Sequence, residues 1–118
     1  ASYFRLYFDG YEEFSVSNVG EVYATSYNQY SSRGRKENII PSPVSALATV
    51  LDTPVYEYNL KDGDAKQKHI GPVAEDLLDI LRNDYDGEKY VSLGDMIGLL
   101  WKAVQELDAK VEKLGGVK

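Results

Sequence analysis

The last part of the chain repeats apolar residues at a spacing that few folds can use. From Ile97 through Leu100, Val104, Leu107, Val111 and Leu114 the steps are 3, 4, 3, 4 and 3, which lays one apolar seam along a single helix. Ser92, with Asp95 three residues on, reads as the capping pair that starts this helix, and Gly115-Gly116 ends it, so it spans about 92–114. Such a seam either packs on the chain's own core or joins copies. A chain of 118 residues offers one small core, and a seam running almost to its end outreaches that core. Association between chains is therefore the expectation. β-branched residues at heptad position a (Ile97, Val104, Val111) with Leu at d favour two strands. Leu99, Trp101 and Ala103 at positions c, e and g widen the apolar face beyond that, and two and three strands both stay open.

Upstream, the pattern changes character. Residues 2–8, SYFRLYF, alternate Phe4, Leu6 and Phe8 against Tyr3, Arg5 and Tyr7, a strand period broken by Asp9-Gly10. EEFSVS and EVYATS flank Asn18-Val19-Gly20 as a second hairpin-like unit. Residues 1–30 thus form a β-rich segment with too few apolar residues for a core of its own. They are expected to belong to a sheet or stalk that continues upstream or pairs with other chains. Ser42-Pro43 predicts the start of a short helix carrying Val44, Leu47, Ala48 and Leu51. VYEYNL and KQKHIG bracket Asp62-Gly63 as a hairpin, and residues 72–83 place Val73, Leu77, Ile80 and Leu81 on one helical face before the turn-rich NDYDGEK. The fold class is α+β: a short β-rich stalk segment, a small helix/β-hairpin/helix domain, and a long terminal helix that forms a coiled coil.

Composition removes whole classes of chemistry. The chain has no cysteine, which excludes disulfides, thiolate catalysis and cysteine zinc sites. His69 is the only histidine, so imidazole clusters are excluded, and no cofactor or metal is expected. A formal charge of −6, with the acids spread along the chain, argues against nucleic acid or an anionic membrane as partner. No apolar run approaches the roughly 20 residues of a membrane span, and the amino terminus lacks a signal pattern, so the chain reads as soluble. Ten tyrosines favour strands or a contact surface over disorder.

The stretch YSSRGRKENI, Tyr30 to Ile39, places Ser31 and Ser32 five and four residues before Lys36. As an isolated pattern this is a common basic loop. It is followed, however, by VYEYNLKDGDAKQKHIGPVAEDL and then by YVSLGDMIGLLWKAVQELDAKVEKL. The three blocks in this order resemble the carboxy-terminal intramolecular chaperone domain of phage tailspikes, endosialidases, tail fibres and neck appendage proteins, the S74 peptidase family. They are also similar to the self-cleaving domain of myelin regulatory factor. The resemblance covers about residues 31–114. It rests on a serine, four intervening residues and a lysine followed by acidic-Asn-Ile (Ser31, Lys36, Glu37-Asn38-Ile39), on the turn His69 to Ala74, and on the closing heptad helix. The chain departs from the family pattern at Ser32, where Asp is usual, and at Glu75-Asp76, where Gln-Glu is usual.

The resemblance implies a homotrimer in which residues 31–118 help the upstream spike of the same chain to fold, with residues 1–30 as the end of its stalk. It further implies that the domain then cuts itself off at Tyr30-Ser31, in the bacterial host cytoplasm during phage assembly. The spike would stay in the virion tail or neck while the domain is released. A serine hydroxyl needs a base to become a nucleophile, and with no suitable histidine the candidate is Lys36, with Ser31 as nucleophile and Ser32 as the alternative. An ordinary lysine amine titrates near ~10.4, so a neutral one needs burial or neighbouring cations; Arg33 and Arg35 are the nearest in sequence. Attack by Ser31 on the carbonyl that precedes it closes a five-membered ring, leading to an ester by acyl shift or to direct cleavage by water. Both routes need donors for the developing oxyanion.

Arg33, Arg35, Asn38 and His69 are candidate supporting residues, although His69, in a strand near Lys66 and Lys68, reads first as structural. Asp62 and Asp64 imitate a fragment of a calcium loop but lack its later ligands. No phosphate-binding Gly-x-x-x-x-Gly-Lys stretch occurs, Trp101 reads as packing, and no carboxylate pair stands out for glycoside hydrolysis. The reading from a different class is a permanent oligomerisation and capping module at a fibre tip. It predicts that Ser31 and Lys36 are exposed, mutually distant and indifferent to substitution.

Overall fold

The computed structural model describes residues 4–77, 79 and 81–115. Ser2, Tyr3, Ile80 and Gly116, to which the expectations above extend, lie outside the described residues. The chain forms two compact units, one of Ala1–Pro41 with Leu60–Asp64 and one of Ser42–Asn59 with Ala65–Lys118.

The first unit is a three-stranded antiparallel meander of β1 (Phe4–Phe8), β2 (Tyr11–Val16) and β3 (Val22–Ala24). Asp9 and Gly10 take φ of 50° and 81°, the left-handed pair that a two-residue hairpin turn requires, and the register closes at Phe8 opposite Tyr11. The register shifts between Leu6 and Tyr7, which marks a β-bulge. The Ser17 hydroxyl accepts the amides of Val19 (3.3 Å) and Glu21 (3.1 Å) and so holds the β2–β3 loop. Phe4 meets Phe14 edge to face at 6.3 Å, yet Phe4 and Phe8 remain 61% and 62% exposed. The described part of the sheet buries none of its large apolar side chains.

The second unit holds the small core: Ala46, Leu77, Leu81 and Ala103. Its long helix α2 (Leu93–Lys113) is capped as the sequence predicts, with the Ser92 side chain accepting from the Asp95 amide. It ends where Gly115 adopts φ 82°, the left-handed residue that commonly closes a helix. At about 1.5 Å per residue α2 is roughly 30 Å long. The shorter helix α1 (Ala46–Asp52) packs on it, and two alanines, Ala46 and Ala103, are buried one on each helix.

Helix α1 starts later than Ser42-Pro43 predicts. The Ser42 hydroxyl accepts from the Val44 amide in a local turn, the Val44 carbonyl accepts from the Lys102 ammonium, and the first helical bond runs from the Thr49 amide to the Ser45 carbonyl. The cap comes from α2 instead, where Glu106 accepts the Ala46 amide at 2.8 Å and the Lys102 ammonium at 3.0 Å.

Strands β4 (Tyr56–Tyr58) and β5 (His69–Gly71) pair antiparallel as expected, but they are joined by the longer segment 59–68 and not by a tight Asp62-Gly63 turn: neither residue takes a positive φ, and the Gly63 amide instead donates to the Leu60 carbonyl at 3.1 Å. The helix expected over 72–83 is replaced, among the described residues, by a 3₁₀ turn at Ala74–Asp76 and by strand β6 (Arg82–Tyr85), which pairs with β7 (Glu88–Val91). Asp86 and Gly87 take φ of 51° and 81°. That tight turn commits the residues before it to a ladder, with an Asp84–Lys89 ion pair across it at 3.3 Å. Leu77 and Leu81 still reach the core; their spacing imitates a helix that the turn overrules. The small domain is therefore a helix, two short hairpins and a long helix.

The seam residues Ile97, Leu100, Val104, Leu107, Val111 and Leu114 are all exposed in the single chain. Among the described residues no helix is long and apolar enough to cross a membrane.

Candidate active site

Local backbone geometry brings Ser31 and Lys36 together. Ser32 is extended (φ −67°, ψ 152°), Arg33–Arg35 form one 3₁₀ turn, and Lys36 is extended again (φ −126°, ψ 154°). The turn is held by the Arg35 amide on the Ser32 carbonyl and the Lys36 amide on the Arg33 carbonyl, both 3.0 Å. Its effect is to fold the five-residue separation back on itself, so that the Lys36 ammonium donates to the Ser31 hydroxyl at 2.7 Å. Both side chains are exposed. The Ser32 side chain makes no cap hydrogen bond to the turn it precedes.

Tyr30, whose carbonyl lies on the bond in question, is 79% exposed. The Arg35 guanidinium sits over its ring at 4.2 Å, a cation–π contact that ties the residue before the bond to the turn. Arg33 is exposed within the turn. Asn38 takes φ 53°. Asparagine is among the few residues that adopt this left-handed conformation readily, and here it redirects the chain two residues after Lys36. Sequence reasoning places Asn38 in a motif without this reason; an Asn following a turn-forming basic run is the available signal.

His69 belongs to the second unit, in β5, where it stands opposite Tyr58 and stacks on its ring at 5.6 Å. The site assembled within the first unit is thus Tyr30, Ser31, Arg35 and Lys36, closed off by Asn38. Among the described residues no group of three or more His, Asp or Glu is placed to hold a metal ion.

Sequence reasoning misses one polar cluster altogether, Lys102 and Glu106 on α2 with Val44 and Ala46. The Lys102 hydrogen bond holds the Glu106 carboxyl below its usual value, the Ala46 amide adds to this, and desolvation pulls the other way. The cluster fastens α1 to α2.

Residues 31–85 match the model of the S74 peptidase family, described as chaperone of endosialidase. No curated protein and no solved structure matches the chain.

Proposed function

We propose, from the match of residues 31–85 to the S74 peptidase family of endosialidase chaperones, that this chain is an intramolecular chaperone. It assembles as a homotrimer, assists an upstream spike or fibre, and then releases itself by cutting Tyr30-Ser31. The observation that carries the cutting step is the 2.7 Å approach of Lys36 Nζ to Ser31 Oγ.

In this reading Lys36, as the neutral amine, takes the Ser31 hydroxyl proton while Oγ attacks the Tyr30 carbonyl carbon. The five-membered tetrahedral intermediate collapses by breaking the C–N bond, and the Lys36 ammonium returns the proton to the departing Ser31 amine. The Tyr30 acyl group is left as an ester on Oγ. Water attacks that ester, giving a Tyr30 carboxylate and restoring the Ser31 hydroxyl. Each chain turns over once. Ser31 and Lys36 are exposed in the single chain, so the dry surroundings that a neutral amine needs come from neighbouring copies. Cutting then waits for assembly. After release the spike lacks its template and is held by its unfolding barrier.

The exposure of both side chains is what a second reading expects, a capping module that assembles and never cuts; its other expectation, that the two stand apart, is contradicted by their 2.7 Å approach. Denaturing intact-mass spectrometry of fresh and aged protein, with Ser31→Ala and Lys36→Ala alongside, separates the two. Fragments ending at Tyr30 and beginning at Ser31, in the parent only, are expected. One uncut mass in all three proteins would overturn the cutting step.

A further inference from the structure

The heptad seam of α2 divides the helix into two flanks. Position g falls on Met96, Ala103 and Lys110, and position e on Trp101 and Asp108. Two of the apolar residues that broaden the seam are accounted for within the chain: Ala103 is buried, and Leu99 is half-buried in the wall of a cavity. Trp101 is different. It is 70% exposed, and it is the only tryptophan.

On the g flank, Met96 and Leu99 join Val55, Leu77 and Leu81 around an open cavity of about 210 Å³. Thr53 also lines it, but its hydroxyl already donates to the Thr49 carbonyl, and the remaining wall is apolar. A dry cavity of roughly 150 Å³ takes a benzene ring, so this one has room for the larger indole. The opening is therefore matched in size and chemistry to the side chain exposed on the opposite flank of the same helix.

Parallel and antiparallel bundles use these flanks differently. In a parallel bundle the g flank of one helix faces the e flank of its neighbour, a g residue lying level with the e residue five positions on. That rule pairs Met96 with Trp101 of the next copy. In an antiparallel pair e faces e and g faces g, so the indole faces another e flank and the cavity stays empty.

We propose that Trp101 of one copy seats in the cavity beside Met96 of a second copy. Each copy gives one indole and receives one, a head-to-tail contact that closes around a ring. The indole gains apolar walls and the Met96 thioether, a favourable sulfur–aromatic neighbour. The inference rests on the assembly of copies through α2 proposed above and adds the contact that fixes their parallel register.

The single tryptophan makes the test direct. Emission of the full chain is followed against concentration beside sedimentation velocity, for the parent and for Val55→Arg. Val55 is 63% exposed at the cavity and lies off the seam, so the variant folds. Expected is a blue shift that appears with assembly and is lost in Val55→Arg; dissociation of Val55→Arg to monomers supports the same contact. Assembly with solvent-exposed emission, or a blue shift that survives Val55→Arg in an assembled protein, would overturn the seating of Trp101 while leaving the assembly reading in place. Monomers at every concentration would overturn the assembly reading and this contact with it.

Discussion

The Glu106 carboxylate accepts the Ala46 backbone amide at 2.8 Å, so the first turn of one helix is capped by the side of another. The same oxygen holds Lys102 at 3.0 Å, and these hydrogen bonds lower the carboxyl's proton affinity on folding. A carboxylate shifted this way contributes stability that is whole above its unfolded value and lost as pH falls through the folded one. The docking of α1 is therefore expected to weaken below the ordinary glutamate value of 4.5. Circular-dichroism melting at neutral and acidic pH checks this. Glu106→Gln should melt lower than the parent at neutral pH and show a flatter acid dependence.

Asn38 is positioned by backbone conformation, its φ being 53°. A β-branched residue there would meet the left-handed penalty of about 1–2 kcal/mol, whereas glycine would not. Asn38→Val is expected to disturb the loop after Lys36 and slow the cut by about tenfold, and Asn38→Gly to leave it near the parent rate. Because the residue is exposed, neither change should move the global melting midpoint by more than about 1–2 kcal/mol equivalent. Intact-mass time courses beside melting curves separate these effects.

The elements that local pattern specifies are legible in the residues themselves. The capped heptad helix and the turns at Asp9-Gly10 and Asn18-Val19-Gly20 each follow from residues within a short window. The 72–83 segment is not, because Val73, Leu77 and Leu81 satisfy a helical period while Asp86-Gly87, outside that window, demands a hairpin. The start of α1 is hidden for another reason. Its true cap is Glu106, sixty positions away, and no local signal outweighs Ser42-Pro43. At the candidate site the Ser31–Lys36 spacing is visible in the chain, but the 3₁₀ turn that makes the spacing a contact, and the left-handed Asn38 behind it, belong to backbone geometry.

If Lys36 serves as a base, charge alone cannot replace it. Arginine keeps the cation and can reach the Ser31 hydroxyl, but it does not give up its proton. Lys36→Arg is therefore expected to preserve assembly and reduce cutting by at least about 10²-fold, the lower range for a positioned general base. Ser31→Ala should abolish the cut, and Ser32→Ala should leave its position unchanged. Edman or mass determination of the new amino terminus reads the outcome; a cut that persists in Ser31→Ala and disappears in Ser32→Ala would reassign the nucleophile.

The seam and the core of the second unit are built from different residues, which makes assembly and folding separable. Leu107 is 49% exposed and Val104 65% exposed in the single chain, whereas Leu81 is 3% exposed. Fully burying a leucine is worth about 1.5–3 kcal/mol, and Leu107 has only about half of its surface left to bury, so Leu107→Asp forfeits roughly three- to tenfold in association for each copy, and adds the cost of a carboxylate in an apolar seam. Sedimentation velocity should show monomers, and circular dichroism a partial loss of the summed helical signal. Leu81→Ala should do the reverse, costing about 2–5 kcal/mol in folding through an unfilled core. Its seam is intact, so the fraction that folds still associates through α2, with the Trp101 contact loosened because Leu81 also lines that cavity. If Leu107→Asp stayed assembled at the parent's concentration dependence, the exposed heptads of α2 would not be the surface through which the copies meet.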